Sequence, residues 1–448
     1  MHAEPDPHGT RRAYRGSVLH FTTGSAQARA PYATHFFDDG MLVVRDGYVE
    51  SCGPAAATLA GLPPDVPVVD LRGQWIVPGF IDTHVHYAQT AIIASYGAQL
   101  LDWLDQYTYP AERRFSDPVH AREAADFFLT ELLRNGTTSA VVFPTVHKTS
   151  VDALFEAALA RNLRMVTGKV MMDRNCPEFL RDTAQSSYDD SRALIECWHG
   201  RGRLHYAVTP RFAPTSTEAQ LQLAGRLAHE YPGLYVQSHV AENRDEVRWA
   251  AQLFPGARSY LDVYDHYGLL GPRAVYAHCI HLDTADRTRM GATGAVMSFC
   301  ATSNLFLGSG LFDRDAANAA GAYVTFGTDV AGGTSFSMLR TMHEAYKVLQ
   351  LKGQTLTAGD AFYLATRGAA NALGLSDRIG SFAPGTEADF IVLDPDATPL
   401  LSRRFAMAET LAERLFALMI LGDDRTIAAT YVQGVLAYQR DADPRSCR

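Results

Sequence analysis

Two histidines one residue apart follow an apolar run in the segment GFIDTHVHYAQ (79–89). Successive side chains of a β-strand point to opposite faces, so we expect His84 and His86 to lie on the same face, one pleat apart. Two imidazoles in this arrangement can bind one metal ion. Because His-x-His also arises by chance on strands, the interpretation depends on residues further along the chain.

Residues of the metal-binding and acid–base types also occur where later apolar runs end. His239 lies in LYVQSHV, and Glu242 follows it after three residues. His278 lies in AVYAHCI, and Asp329 ends YVTFGTD. Three neutral imidazoles and one carboxylate predict a mononuclear zinc site completed by a water, with iron as an alternative ion. Water activated in this way can hydrolyse a carbon–nitrogen bond. The predicted ligands of this single Zn²⁺ are His84, His86, His239 and Asp329.

Glu242 is the predicted proton shuttle. Deamination of an aromatic ring requires that a ring nitrogen gain a proton as water attacks, and that the amine leave protonated. The alternative for Glu242 is a solvated glutamate in the charged cluster ENRDE. His278 is predicted to hydrogen-bond the attacking water or to act as a fifth ligand. His281 is a second candidate for that role, although the strand pattern places His278 at the strand end.

Lys169 bears on whether one or two metals are expected. A carbamylated lysine at the end of the fourth strand bridges two metals in some barrel hydrolases. Lys169 lies on the third strand in our count, whereas the fourth ends in Thr209-Pro210-Arg211. We therefore predict one metal and a structural role for Lys169.

The order of the apolar runs predicts the fold class. Eight β-prone runs alternate with amphipathic segments, which indicates an α/β protein with a (β/α)8 TIM-type barrel over residues 76–379. Short β-prone runs in 1–75 and 380–448 predict a small composite β-domain built from both chain ends, because neither end has enough strands to be stable alone. The carboxyl ends of barrel strands share one face, so the predicted ligands would converge there. The predicted barrel strands are 76–86, 138–144, 164–172, 204–211, 234–240, 274–280, 295–300 and 323–329.

Composition narrows the classes of partner. The net charge of −9 and the pI near 6.0 argue against nucleic acid or an anionic membrane. Six cysteines occur without a C-x-x-C pair, which indicates reduced thiols. The first residues contain no apolar signal core, and no run reaches the roughly 18 apolar residues of a membrane span. We expect a cytoplasmic protein.

Several segments resemble the amidohydrolase superfamily. PGFIDTHVH, SHVAENRDE, AHC and GTDVAGG occur in the order typical of that superfamily. Within it, the chain is similar to the guanine deaminases, most specifically in SYGAQLLDWLDQYTYPAE and also in VTPRF, SFCATSNLFLGSG and TDVAGGTSFSML. The likeness extends to GSFAPGTEADFIVLD near the end of the chain. One departure is Ala301, where SFCPTSN is common, and this change removes no functional group.

The resemblance implies hydrolytic deamination of guanine to xanthine and ammonia by a metal-activated water in a homodimeric enzyme. It implies metal ligation by the four predicted ligands. It implies catalytic roles for Glu242, His278 and Asp329. Arg guanidinium groups can bridge the O6 and N7 acceptors of guanine, which suits Arg211 to purine binding. The implied substrate-binding residues are Gln89, Arg211, Phe212, His239, Glu242 and Asp329.

Two alternatives stay open. The same site would suit a deaminase of a related ring, such as 8-oxoguanine or a pterin, because one pocket residue can decide between these substrates. The other alternative is a metal-free scaffold protein of the same fold. Loss of ligands is the feature expected of such a scaffold, and every ligand position here is filled.

Overall fold

The computed structural model describes residues 11–23, 31–96 and 99–440. The chain forms two compact units. The first comprises Met1–Ile81, Leu132–Thr138 and Thr357–Arg448, and the second comprises Asp82–Glu131 and Ser139–Leu356. The domain limits that we drew from the sequence stay a prediction.

Strands and helices alternate through most of the described chain. The strands are β1 Arg11–Thr23, β2 Tyr32–Arg45, β3 Tyr48–Pro54, β4 Val68–Pro78, β5 Phe80–His86, β6 Thr137–Phe143, β7 Arg164–Thr167, β8 Val170–Met171, β9 His205–Pro210, β10 Tyr235–Val240, β11 Ala274–His278, β12 Val296–Phe299, β13 Tyr323–Phe326, β14 Phe390–Leu393, β15 Ile427–Val432 and β16 Val435–Gln439.

The α-helices differ widely in length, and in the described part of the chain none is long and apolar enough to cross a membrane. They are α1 Ala55–Ala60, α2 Leu100–Trp103, α3 Tyr109–Arg113, α4 Pro118–Arg134, α5 Lys148–Ala160, α6 Ala184–Trp198, α7 Glu218–Glu230, α8 Arg244–Leu253, α9 Tyr260–His266, α10 Thr284–Thr293, α11 Ala301–Phe306, α12 Arg314–Ala319, α13 Met338–Leu351, α14 Ala358–Leu364, α15 Arg367–Ala372, α16 Pro399–Ala406 and α17 Leu411–Leu421.

The first unit contains a mainly antiparallel sheet with the order β16-β15-β14-β4-β1-β2-β3. The hairpin between β2 and β3 turns at Asp46 and Gly47, whose φ values of 53° and 84° suit a tight turn. Buried aromatic rings join strands from both chain ends: the Phe390 and Tyr431 rings stack with centroids 4.3 Å apart, and Tyr14 packs edge-on to Phe390 at 4.8 Å. The predicted composite sheet is therefore confirmed.

The second unit contains most of a nearly closed parallel barrel with the order β5-β6-β7-β9-β10-β11-β12-β13, and the short β8 pairs with β9. The amide of Asp329, just after β13, donates to the carbonyl of His84 on β5 at 2.9 Å. The Thr83 hydroxyl also donates to the carbonyl of Phe326 at 2.9 Å. These contacts link the last strand to the first. The predicted (β/α)8 barrel is confirmed.

Two predicted strands are each divided in the structure. Pro78 ends β4 in the antiparallel sheet, and β5 begins at Phe80 in the barrel, so the predicted strand 76–86 covers parts of two sheets. The predicted strand 164–172 is interrupted at Gly168, where a Cβ atom would lie 1.8 Å from the carbonyl oxygen of Ala207. A side chain there would clash with the neighbouring strand.

Candidate active site

Three imidazoles converge at the carboxyl ends of β5 and β10. Ligand atoms of His84, His86 and His239 all lie within 4.8 Å of one another. The Nε2 atoms of His86 and His239 are 3.1 Å apart. Asp329 Oδ1 lies 3.2 Å from His84 Nε2 and 3.3 Å from His86 Nε2. The structure thus brings all four predicted metal ligands together.

The imidazoles of this cluster are in the neutral form that can bind a metal cation. Burial lowers the pKa of His84 to about 4, and burial together with the neighbouring imidazoles lowers the pKa of His239 well below its usual value. Both rings are therefore neutral at pH 7. His239 Nδ1 donates to the carbonyl of Arg211 at 2.7 Å, which leaves its Nε2 lone pair directed at the cluster. His84 Nε2 is buried beside the Asp329 carboxylate and makes no hydrogen bond of good geometry with a described residue. Such a concentration of lone pairs is suited to a bound cation.

Cys300 is a further potential ligand that the sequence analysis missed. Its thiol forms a second group of ligand atoms with His84 and Asp329. The thiol lies 3.5 Å from the carbonyl of Ser298 and is directed to it. Burial raises the pKa of Cys300 well above its usual value, so the protonated thiol is a weak donor compared with three neutral imidazoles.

Strained backbone marks the strand ends that carry these side chains. Ala241, His278, Cys279 and Asp329 have φ values of 51°, 72°, 54° and 51°. Residues other than glycine rarely adopt this left-handed region, and the surrounding packing must hold them there. The turn after each strand therefore sets the direction of the site side chains.

Glu242 lies beside the cluster of predicted metal ligands and is 3% exposed. Its backbone amide donates to Glu246 Oε2 at 2.9 Å, and the Ser309 hydroxyl donates to Glu242 Oε1 at 2.8 Å. The other carboxylate oxygen lies 3.3 Å from His278 Nε2. Burial raises the pKa of Glu242 to about 7, which is the range in which a carboxyl group both accepts and gives up a proton near neutral pH.

His278 faces two carboxylates of the site. Its Nδ1 lies 2.9 Å from the Asn304 side-chain oxygen, which fixes the ring and leaves Nε2 facing Glu242. Nε2 is also 3.9 Å from Asp329 Oδ2. Although burial alone lowers the pKa of His278, the two carboxylates raise it above the usual value. The arrangement suits hydrogen bonding to a water held between these groups.

Arg211 and Gln89 are joined by a residue that the sequence analysis did not single out. Glu112 accepts from Arg211 Nη1 at 2.8 and 3.0 Å and from Gln89 Nε2 at 2.9 Å. Glu112 is fully buried and Arg211 is 3% exposed. The only signal for Glu112 in the sequence is its position in TYPAE, within the segment most typical of the guanine deaminases.

One cavity collects the remaining predicted residues. Of the predicted site residues, only His84 does not line it. Apolar side chains from residues 100–104 and Phe212 form part of the wall, which suits a flat aromatic ring. The predicted residues that line the cavity are His86, Gln89, Arg211, Phe212, His239, Glu242, His278 and Asp329.

His281 and Lys169 lie elsewhere in the second unit. His281 Nε2 is 2.9 Å from the carbonyl oxygen of Ser309, and His281 does not line the cavity. Lys169 is 1% exposed and forms an ion pair with Asp182, which also accepts from the Ser187 hydroxyl at 3.1 Å. This pairing is consistent with a structural role for Lys169.

Asp182→Ala is expected to destabilise the fold because it leaves the Lys169 ammonium buried without its carboxylate. Breaking a buried ion pair typically costs about 3–5 kcal/mol of unfolding free energy. Urea denaturation measures this loss. The matched control is Arg192→Ala, which breaks an exposed pair with Glu196 and should cost at most about 1 kcal/mol. Equal effects of the two variants would contradict the structural role of Lys169.

Comparison with known proteins places the chain in a family. The model of the amidohydrolase family matches residues 75–437. The chain therefore belongs to the amidohydrolase family, and the resemblance seen in its motifs is confirmed. Guanine deaminase of Escherichia coli (strain K12) is 51% identical over 433 residues, which cover 96% of this chain and 99% of that protein. A probable guanine deaminase of Deinococcus radiodurans is 40% identical, with 96% and 100% covered.

Solved structures show the same relationship. The structure of E. coli guanine deaminase matches with a TM-score of 0.92 at 50% identity, covering 96% of this chain and 100% of that one. Guanine deaminase of C. acetobutylicum, solved with guanine bound in its active site, matches with a TM-score of 0.85 at 29% identity and the same coverage.

Proposed function

We propose that the protein is a guanine deaminase that hydrolyses guanine to xanthine and ammonia. The observation that carries the proposal is one cavity, lined by buried side chains, that three of the predicted metal ligands, the Glu242 carboxyl group and the Arg211 guanidinium all line. The relatives described above, which carry this name over nearly their full lengths, support it. In the cell this reaction would serve purine catabolism.

His84, His86, His239 and Asp329 would hold one divalent ion, which we propose is Zn²⁺, with iron as the alternative. When bound, the ion would lower the pKa of a water and so supply a nucleophile at neutral pH. The hydrogen bond from His239 Nδ1 to the Arg211 carbonyl orients that ring for ligation.

Glu242 would move the proton. One carboxylate oxygen accepts a hydrogen bond from Ser309, and the other lies 3.3 Å from His278 Nε2 and would face the reacting centre. We propose that Glu242 accepts a proton from the attacking water, delivers it to N3 of guanine, and later helps to protonate the leaving amine at C2. His278 and Asp329 would hold the water for attack on C2.

Arg211, Gln89 and Phe212 would bind the purine. Arg211 uses Nη1 for Glu112, so its other N–H groups are available to the O6 and N7 acceptors of guanine. Phe212 lies against the cavity and would contact the ring. Arg211 is therefore the main determinant proposed for recognition of the 6-oxo group.

Guanine should be turned over much faster than adenine. Adenine lacks the O6 acceptor and carries its amine at C6 instead of C2, so it would leave Arg211 donors unpaired. A site built around such hydrogen bonds rejects an analogue that lacks them by roughly 10⁴-fold. Values of kcat/KM for guanine, adenine, 8-oxoguanine and a pterin test this directly. If 8-oxoguanine or the pterin were much the best substrate, the guanine assignment would be wrong although the deaminase mechanism would hold.

The purified protein should contain close to one zinc or iron per chain. The four predicted ligand side chains lie together, and Lys169 is paired with Asp182 and not with them. Elemental analysis measures the content, and His239→Ala should lose the metal. Two metals per chain would overturn the mononuclear proposal.

We also propose a homodimer in the cytoplasm, as the family resemblance and the cysteine pattern predict. Light scattering of the purified protein should give a mass of about 98 kDa for a dimer, twice the 49.0 kDa of the chain. A monomeric mass would contradict the homodimer.

A further inference from the structure

Glu112 joins the two side chains proposed to bind the polar edge of the purine. It lies on α3, whereas Gln89 follows β5 and Arg211 follows β9, so the three residues come from distant parts of the chain. One Glu112 carboxylate oxygen accepts from both Gln89 and Arg211, and the other accepts from Arg211 alone. The side chains of Gln89 and Arg211, which are proposed to bind the purine, are therefore held in position by one carboxylate.

The Arg211 guanidinium is held from a second side by the same helix. Its central carbon lies 5.4 Å from the ring centroid of Tyr109, the first residue of α3. Among the residues that the structure describes, Arg211 donates side-chain hydrogen bonds only to Glu112. The remaining guanidinium edge is consequently fixed in direction and available to a ligand in the cavity.

Glu112 also balances the charge of Arg211. Both side chains are almost completely buried, so little water screens the guanidinium, and an unpaired cation there would attract anions strongly. Paired with Glu112, Arg211 presents directional donors with no net charge. This combination suits a neutral purine such as guanine.

The product, xanthine, becomes an anion more readily than the substrate, guanine. Xanthine carries a carbonyl at C2 in place of the amine, and this added carbonyl makes its ring N–H groups ionise more readily than those of guanine. If the positive charge of Arg211 were not neutralised by Glu112, it would retain the xanthine anion. Because Glu112 neutralises this charge, the site favours neutral guanine and allows the product to leave.

We propose that Glu112 is a positioning and specificity-determining residue that holds Gln89 and Arg211 as paired donors and, by cancelling the charge of Arg211, discriminates against anionic oxopurines. The inference rests on the proposed function, because it assumes that the purine edge meets Arg211. It assigns Glu112 no contact with the reacting atoms. Its effect is on binding and on product retention.

Glu112→Gln tests the proposal in the full-length, metal-analysed protein. The amide keeps the size of the side chain but removes the negative charge. The KM for guanine should rise about 10-fold or more, because a charge-assisted hydrogen bond is lost. The rate of a single turnover, which excludes product release, should change less than about threefold, since Glu242 and the proposed metal ligands are untouched. The dissociation constant of xanthine, measured by calorimetry where xanthine is anionic, should fall at least about 10-fold. A solely structural role would weaken both ligands together.

Two further variants separate position from charge. Glu112→Asp keeps the charge but shortens the side chain, so it should raise the KM for guanine without tightening xanthine. Glu230→Gln removes a carboxylate from a surface pair with Arg226 and should leave both ligands unaffected. If Glu112→Gln fails to fold, Glu112→Asp still tests the proposal, because tighter xanthine binding by that variant would contradict charge balancing.

The outcomes distinguish this inference from the proposed function. A wild-type protein that does not deaminate guanine would overturn the proposed function, and the xanthine-binding comparison would still test the charge of Arg211. Wild-type activity on guanine with unchanged KM and unchanged xanthine binding in Glu112→Gln would overturn the inference alone.

Discussion

Glu242→Gln should retain its metal and bind guanine while losing at least about 100-fold in turnover. The amide can keep the hydrogen bond from Ser309 and the contact with His278, but it cannot accept and release the proton that the reaction must move. General acid–base catalysis typically contributes 10²- to 10⁴-fold. Steady-state kcat, together with elemental analysis and guanine binding by calorimetry, measures the three quantities separately.

His239→Ala provides the contrast for that variant. It removes a proposed ligand, so it should lose metal and activity together, whereas Glu242→Gln should lose activity alone. Activity of Glu242→Gln near the wild-type level would show that the proton travels by another route. Asp329 would then be the first residue to examine.

Arg211→Leu should lose both stability and recognition of guanine. It leaves Glu112 as a fully buried carboxylate without its cation, which typically costs about 3–5 kcal/mol of unfolding free energy. The lost charge-assisted hydrogen bond to the purine is worth roughly 1.5–3 kcal/mol, or about 10- to 150-fold in kcat/KM. Denaturation with urea and steady-state kinetics report the two losses separately.

The double variant Arg211→Leu with Glu112→Leu separates these effects. Apolar side chains that replace both partners of a buried ion pair often restore or increase stability. The double variant should therefore regain most of the unfolding free energy and still bind guanine poorly. Full recovery of kcat/KM would contradict the proposed contact between Arg211 and the purine.

The barrel could be predicted because its strands are apolar runs of suitable length that alternate with amphipathic segments. The ends of a strand cannot be predicted where one apolar run passes from one sheet into another. Residues 76–86 form one apolar segment, yet Pro78 ends β4 and Gly79 lies where a Cβ atom would be 2.2 Å from the Thr138 hydroxyl. Hydrophobic pattern does not reveal such a close approach, because it arises from a residue far along the chain.

The clustering of the four predicted metal ligands could also be predicted from the sequence. His84 and His86 are one pleat apart, and the others end predicted strands, so the barrel brings them to one face. The residues that hold the proposed catalytic and binding side chains in place could not be predicted from strand ends. Glu112, Asn304 and Ser309 lie on or after helices that pattern alone does not orient toward the cavity. Glu112 reaches Arg211 across 99 positions of sequence, a contact that local spacing cannot indicate.

The product analysis of guanine hydrolysis tests the central proposal most directly. Purified full-length protein with a measured metal content is incubated with guanine, and xanthine and ammonia are quantified over time. We expect xanthine and ammonia to form in equal amounts as guanine disappears, and a matched reaction of Glu242→Gln should release ammonia at least about 100-fold more slowly. Guanine that remains unchanged in the presence of metal-loaded wild-type protein would contradict the proposed function.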